Sequence, residues 1–124
     1  MIFLDTHILL WLYDKLEDKF SNAIKELINR NDIYISPISK LELQYLKEIK
    51  RINHSPNVII EFLSRSIGLQ VATLSFNDVI DEAMKIKWTR DPFDRIIVST
   101  SKITKSIFIT ADKIILKNYK MATW

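Results

Sequence analysis

Short apolar runs that lead into acidic residues constrain the fold of this chain more than any other feature of its sequence. Such runs, rich in β-branched and aromatic residues, predict strands buried inside a sheet. Three acids follow them: Asp5 after residues 2–4, Glu42 after residues 33–35 and Asp112 after residues 107–109. If the strands are parallel, these acids lie along one edge of the sheet, where open α/β sheets bind ligands.

The rest of the chain alternates between strand-like and helix-like patterns. Short apolar runs predict strands over residues 2–5, 33–36, 69–74, 107–110 and, at one edge, 119–123. Apolar residues at helical spacing predict helices over residues 7–14, 20–30, 37–51, 56–66, 76–87 and 91–105, with a helical turn at 112–117. This alternation predicts an α/β protein in which helices flank a central, mostly parallel sheet of four to five strands.

Local signals mark several helix ends. Ser36 and Pro37 predict a helix start, with the serine as cap and the proline at the first helical position. Gly68 suits the end of the helix before it. Ser75 and Asp78 resemble a capping pair for the helix that follows.

Composition narrows the class of protein. A chain of 124 residues is expected to form a single domain over residues 1–124. The absence of cysteine excludes disulfides and thiolate metal sites. A net charge of +3 is mildly basic and is compatible with a polyanionic partner. No apolar run approaches the roughly 18 residues of a membrane span, and no secretory signal is visible. We therefore expect a cytoplasmic protein without a membrane partner.

Glu42 is unusual because its neighbours on the helical wheel are apolar. At about 100° per residue it falls between Ile49 and Leu46, whereas charged residues normally occupy the opposite face of a helix. A carboxylate inside a buried stripe must be paired, protonated or bound to a metal ion, because an unpaired buried charge is costly. A buried salt bridge, or a position that reaches solvent, is the alternative.

The other acids have a second interpretation as helix caps. Asp5 and Asp112 each stand between a strand and a predicted helix, which is a favourable N-cap position. Asp91 can cap the helix in which Asp94 takes the third position, and both acids favour the positive end of the helix dipole. Their spacing also points both carboxylates the same way.

Capping does not explain why all these acids fall on one predicted edge. Carboxylates gathered there repel one another unless a cation lies among them, and oxygen ligands favour Mg²⁺ or Mn²⁺. A divalent ion held by carboxylates suggests phosphodiester chemistry. Thr110 could orient Asp112 through a hydrogen bond or contact a metal-bound water.

Other functional arrangements find little support in the sequence. His7 and His54 show no metal-ligand spacing, and a single glycine cannot form a phosphate-binding loop. Trp11, Trp88 and Trp124 are interpreted as core or interface residues rather than as platforms for base stacking.

Four segments of the sequence together resemble one family. These are LDTHILLW at 4–11, SKLE at 39–42, RDPFDRII at 90–97 and ITAD at 109–112. Their residues, order and spacing, and the chain length, resemble a PIN domain of the VapC toxin type. The first and third segments are the specific ones. The sequence VSTS at 98–101 departs from the alanines usual in such proteins, which affects helix packing rather than chemistry.

The resemblance implies a three-layer PIN-like fold and a magnesium-dependent endoribonuclease. The residues expected to bind metal and to be catalytic are the matches to the family's core acids and its less constant fourth, Asp5, Glu42, Asp94 and Asp112. Residues expected to support these ligands or to cap helices are Thr6, Asp91 and Thr110.

The resemblance also implies partners. The substrate would be RNA, and the protein would be a homodimer and the toxin of a type II toxin–antitoxin pair with a cognate antitoxin protein. The alternative is a non-catalytic nucleic-acid-binding or protein-interaction module on the same fold.

Overall fold

The computed structural model describes residues 1–124 and contains one five-stranded sheet flanked by helices. The strands are β1 (Ile2–Leu4), β2 (Ile33–Ile35), β3 (Gln70–Val71), β4 (Ile107–Ile109) and β5 (Ala122–Thr123). The helices are α1 (Thr6–Tyr13), α2 (Asn22–Arg30), α3 (Ile38–Glu48), α4 (Pro56–Ile67), α5 (Phe76–Ala83), α6 (Pro92–Ile103) and α7 (Lys113–Asn118), with a 3₁₀ turn at Glu17–Lys19 that was not predicted. None of the helices has the length and apolar character needed to cross a bilayer.

The sheet is parallel throughout, in the order β3-β2-β1-β4-β5. At its centre, Ile2 of β1 aligns with Ile33 of β2 on one side and with Ile107 of β4 on the other. The chain therefore winds outward in both directions from β1, which places a ligand-binding crevice at the carboxyl ends of β1 and β4. The predicted α/β fold with a parallel sheet is confirmed.

Residues of β1 alternate between two apolar layers, one on each face of the sheet. Ile2 and Leu4 are buried with Leu43 of α3 on one face, whereas Phe3 is buried with Phe108 of β4 on the other. Truncating a large, fully buried side chain of this kind to alanine typically costs about 3–5 kcal/mol. Packing on both faces fixes the end of β1 and so the position of the residue after it, Asp5.

Most of the predicted helix ends are confirmed. Gly68 ends α4 in the left-handed conformation at φ 71°, and the hydroxyl of Ser75 accepts a hydrogen bond from the Asp78 N–H at 3.3 Å. The prediction that Ser36 caps α3 is wrong. Its hydroxyl is buried and hydrogen-bonded to Thr100 Oγ1 of α6 at 2.9 Å, because a buried hydroxyl at this helix contact must find a partner.

The apolar stripe of α3 faces solvent rather than the core. Leu41 and Tyr45 remain 56% and 50% exposed, and the buried residues of this helix are Ser39 and Leu43. A helical wheel identifies an apolar face but not what covers it. The interpretation of Glu42 as a residue inside a buried stripe is therefore wrong. Its partial burial does not come from that stripe, which is exposed.

Candidate metal centre

A cleft of about 370 Å³ lies at the carboxyl edge of the sheet and collects the acids that the sequence singles out. Its lining consists of Asp5, His7, Trp11, Glu42, Asp91, Asp94, Ala111 and Asp112. The structure thus brings together all four predicted ligands and Asp91. His7 and Trp11, which the sequence interpretation set aside, also line the cleft; their spacing of one helical turn on α1 was the available signal.

Asp5 is the most deeply buried of these acids, at 7% exposure. One carboxylate oxygen accepts a hydrogen bond from the Thr6 N–H at 2.7 Å, and the other accepts one from Thr110 Oγ1 at 2.6 Å. Burial raises the pKa of Asp5, while the hydrogen bond from Thr110 opposes that rise. The two bonds hold both oxygens in fixed positions at the end of β1.

Thr110 connects two of the acids. Besides donating to Asp5, its hydroxyl accepts a hydrogen bond from the backbone N–H of Asp112 at 3.0 Å. Its own N–H donates to the carbonyl of Thr123 at 3.1 Å, which anchors it to β5. The side chain that Thr110 orients is that of Asp5, not that of Asp112, which it holds through the backbone.

Glu42 approaches the cleft from α3, which follows β2. Burial raises the pKa of its carboxyl, with the Thr6 hydroxyl opposing the rise and the charge of Asp5 adding to it. The hydroxyl of Thr6 is itself buried and has no hydrogen-bond partner in the protein. A buried hydroxyl without a partner is costly, so this polar atom beside the cleft acids is a candidate contact for a bound ligand.

Asp91 and Asp94 play different structural parts at the start of α6. Asp91 caps the helix, because its Oδ1 accepts from the N–H groups of Phe93 at 2.8 Å and Asp94 at 3.3 Å. Asp94 is half-buried, and burial together with the charge of Asp91 raises its pKa to about 7. The charges of three further acids, Asp5, Asp112 and Glu42, add to this rise.

Asp112 is a helix cap and a cleft residue at once. Its Oδ1 accepts from the N–H groups of Ile114 at 2.8 Å and Ile115 at 3.2 Å at the start of α7. One oxygen is thus engaged in capping, and the other is available to the cleft. Capping and metal binding are compatible functions for this residue.

No salt bridge neutralises the acids of this cleft, although the charge of His7 partly opposes the rise that burial causes in the pKa of Asp5 and of Glu42. All four ion pairs of the protein lie elsewhere, and none includes an acid of the cleft. The carboxylates do not form a group of three or more side chains placed close enough together to hold a metal ion. Oxygen donors alone, with no cysteine and crowded like charges, suit Mg²⁺ or Mn²⁺ rather than a softer metal.

Replacing Asp91 with serine tests its assignment as a cap. Serine keeps an oxygen at the N-cap, so we expect a cost well below about 1 kcal/mol in the free energy of unfolding. Most of the divalent-dependent RNA cleavage that the sequence resemblance implies should remain, because Asp91 is not expected to be an essential ligand. Denaturant unfolding and cleavage assays at saturating Mg²⁺ measure both quantities. Complete loss of activity with an intact fold would make Asp91 an essential ligand.

Comparisons with known proteins agree with this geometry. A family model described as "PIN domain" matches residues 2–121. No curated protein sequence matches the chain significantly. Among solved structures, the chain is similar to one in the crystal structure of VapBC2 from Rickettsia felis bound to a DNA fragment from their promoter. The two are 21% identical with a TM-score of 0.68, over 98% of this chain and 96% of that chain. At this identity the likeness shows a shared fold.

Proposed function

The chain belongs to the PIN domain family, and from that premise we propose that its 124 residues form one nuclease domain that hydrolyses RNA phosphodiester bonds with the help of Mg²⁺. The observation that carries this proposal is the gathering of five carboxylates, none of them in a salt bridge, around one cleft at the carboxyl edge of the sheet. The carboxylates of such a cleft repel one another, and a divalent cation among them would offset that repulsion.

Each acid has a proposed part in the reaction. Asp5 and Asp94 would hold the ion, since Asp5 is fixed by hydrogen bonds and Asp94 lies beside the other charges. Glu42 and Asp112 would complete the set of acids around it, and one of these two would accept the proton of the attacking water. When bound, Mg²⁺ lowers the pKa of a water molecule and stabilises charge on the phosphate, and Mn²⁺ is a plausible substitute.

Thr110 is proposed to position the ligands. Its hydroxyl fixes one oxygen of Asp5 and the backbone of Asp112, so the two acids keep their separation when substrate enters. Thr6 supports the site from the other side, with its N–H on Asp5 and its hydroxyl facing Glu42.

Cleavage of RNA in the presence and absence of divalent ions tests the proposed function. The purified chain should cut single-stranded RNA with Mg²⁺ or Mn²⁺ and lose all cleavage in excess chelator. A DNA oligonucleotide of the same sequence serves as the specificity control. Binding of RNA without cleavage under every metal condition would favour the alternative, a non-catalytic binding module.

A toxin–antitoxin role is proposed from the fold. The structure that the chain resembles is a VapBC2 complex, and we propose that a small cognate antitoxin binds this chain and blocks its cleft. A groove of about 550 Å³ between α1, α2 and α4 offers an apolar surface for such a partner, with Lys15 and Lys25 among its lining residues. The cytoplasm, which contains RNA and antitoxin, is the proposed location.

A homodimer is proposed through the exposed apolar faces of α3 and α5. Phe76 is 68% exposed and, with Leu41, borders an apolar hollow of about 180 Å³. A surface that carries both a protruding ring and a hollow can pair with a copy of itself around a two-fold axis. Tyr45 extends this face to Phe93, with ring centroids 6.2 Å apart, so it is continuous with the start of α6 beside the cleft.

The substitution Phe76→Glu tests the dimer. We expect the dissociation constant to rise at least about thirtyfold, because a central aromatic contact contributes roughly 2 kcal/mol or more. Val58→Glu is the matched control, since Val58 is also exposed but lies on α4. Sedimentation velocity over a range of concentrations separates dimer from monomer. A wild-type chain that stays monomeric at high concentration, or a dimer unaffected by Phe76→Glu, would exclude this interface.

A further inference from the structure

Three aromatic rings and a lysine form a group beside the acidic cleft. The ring centroids of Trp11 and Trp124 are 5.4 Å apart, and Phe20 lies 5.4 Å from Trp124. The ammonium group of Lys19 stands 4.4 Å from the centre of the Trp11 ring. The group therefore combines a broad aromatic surface with a positive charge.

The fold places this group at the same edge of the sheet as the acids. Trp11 lines the cleft itself. Trp124 directly follows β5, whose Thr123 carbonyl accepts a hydrogen bond from the backbone of Thr110. Thr110 in turn donates its hydroxyl to Asp5. One hydrogen-bonded path thus joins Thr123, the residue before Trp124, to the proposed ligand Asp5.

Burial distinguishes Trp124 from a core residue. It is 38% exposed although both of its aromatic neighbours pack against it, and Phe20 is buried. Two ring contacts hold this indole, and the residue as a whole remains partly accessible to a ligand. Its orientation is set by Trp11 and Phe20, so little conformational entropy remains to be lost when a ligand stacks on it.

We propose that Trp11 and Trp124 form a subsite for an unpaired nucleobase of the RNA, next to the phosphate that the cleft attacks; this rests on the proposed ribonuclease function. The base stacks on the exposed part of Trp124, and Lys19 provides a positive charge for the neighbouring phosphate. Aromatic stacking beside a basic group is the usual means of holding single-stranded nucleic acid. The substrate class is RNA whose bases at the cleavage site are unpaired, because a paired base has no free face for stacking.

The proposed subsite also offsets the repulsion between the acidic cleft and RNA. Five carboxylates line it and repel a polyanion, so contacts that do not depend on charge contribute usefully to substrate binding. Stacking supplies such a contact, and it is worth roughly 1–3 kcal/mol per base. The aromatic group therefore binds the RNA strand close to acids whose negative charges repel it.

Binding of two oligonucleotides of equal charge tests the proposal. One is a uridine 12-mer and the other is a 12-mer of abasic ribose phosphate, both measured with Mg²⁺ on the Asp94→Asn protein so that nothing is cleaved. We expect the base-bearing strand to bind at least about fivefold more tightly. Adding Trp124→Ala should weaken binding of that strand alone and make the two affinities equal, and Trp124→Phe should give an intermediate preference.

The control for Trp124→Ala is Phe62→Ala. Phe62 has similar exposure and packs against Tyr13 with centroids 5.4 Å apart, but it does not line the cleft. It should leave the preference for bases unchanged. Circular dichroism and thermal melting establish whether each variant is folded. If Trp124→Ala is unfolded, Trp124→Phe is used for the test in its place.

The outcomes separate the subsite from the proposed function. Equal affinity of the Asp94→Asn protein for the two strands, while wild type cleaves RNA, would overturn the nucleobase subsite and leave the ribonuclease intact. A base preference that survives Trp124→Ala in a folded protein would also overturn it, and would leave this ring as a contact for a protein partner. Absence of both RNA binding and RNA cleavage would overturn the proposed function itself.

Discussion

Asp94→Asn and Asp5→Asn should each reduce divalent-dependent RNA cleavage by at least about a thousandfold, corresponding to roughly 4 kcal/mol of lost transition-state stabilisation. Asparagine preserves the size of the side chain and removes the charge that is proposed to hold the cation. Asp94 makes no ion pair with the protein and is surrounded by other acids, so removing its charge breaks no salt bridge. Initial rates of cleavage at saturating Mg²⁺ measure the effect.

The same substitution at the opposite edge of the sheet provides the control. Asp32 is exposed and precedes β2, and its carbonyl accepts a hydrogen bond from Ile2. Asp32→Asn should therefore retain full activity. Circular dichroism should show that all three variants are folded. Full cleavage by both Asp5→Asn and Asp94→Asn, or cleavage by the wild type in excess chelator, would contradict the metal mechanism.

The sheet could be predicted from sequence because its strands are short and almost wholly apolar. Ile2–Leu4 and Ile107–Ile109 are buried on both faces, and such strands have no polar alternation that could confuse their assignment. The acids after them are also local features, since each begins a helix and can be recognised as a cap. Parallel pairing then brings their positions together without further information.

The surface of α3 could not be predicted in the same way. Leu41, Tyr45 and Ile49 form an apolar stripe as regular as that of a core helix, yet they face solvent. Periodicity indicates that a helix has an apolar face. Which element packs against that face depends on how the helices are arranged across the sheet. Phe76, exposed at the start of α5, adds to the same surface, which is why we propose this surface as a dimer interface.

Contacts between distant residues also escaped the sequence interpretation. The hydrogen bond from Thr110 to Asp5 joins residues at the two ends of the chain. The contact between the rings of Trp124 and Trp11 is equally remote in sequence. Each depends on β1, β4 and β5 lying side by side, and composition alone identifies neither the neighbour nor the geometry. Residue type suggested a core or interface role for these tryptophans, and strand order places them beside the cleft.

The metal-free protein should lose stability as the pH rises from about 4 to about 8. Burial and neighbouring acids raise the pKa of Asp94 to about 7, whereas an unfolded aspartate titrates near 3.9. A raised pKa contributes stability that is fully present below about pH 4 and is lost as the pH passes through about 7. Three pKa units correspond to about 4 kcal/mol, and since Asp94 is only half-buried we expect about 2 kcal/mol after solvent screening.

Asp94→Asn should remove most of this pH dependence. The measurement is the free energy of unfolding in chelator, for wild type and variant, at intervals between pH 4.5 and pH 8, an interval chosen around the two pKa values. The variant should become the more stable protein towards pH 8. Glu42→Gln should act in the same direction, because burial also raises the pKa of Glu42. Saturating Mg²⁺ should restore about 1–3 kcal/mol to the wild type at neutral pH.

Glu82→Gln is the control of opposite sign. Hydrogen bonds from Lys102 and Lys85 lower the pKa of Glu82, so its contribution is present at neutral pH and is lost as the pH falls. Glu82→Gln should therefore lower stability at neutral pH and leave it unchanged in acid. If the wild type shows no dependence on Mg²⁺, and Asp94→Asn and Glu42→Gln are both less stable than it near pH 8, the cleft acids are paired within the protein. The crowding that makes the cleft a metal site would then not exist.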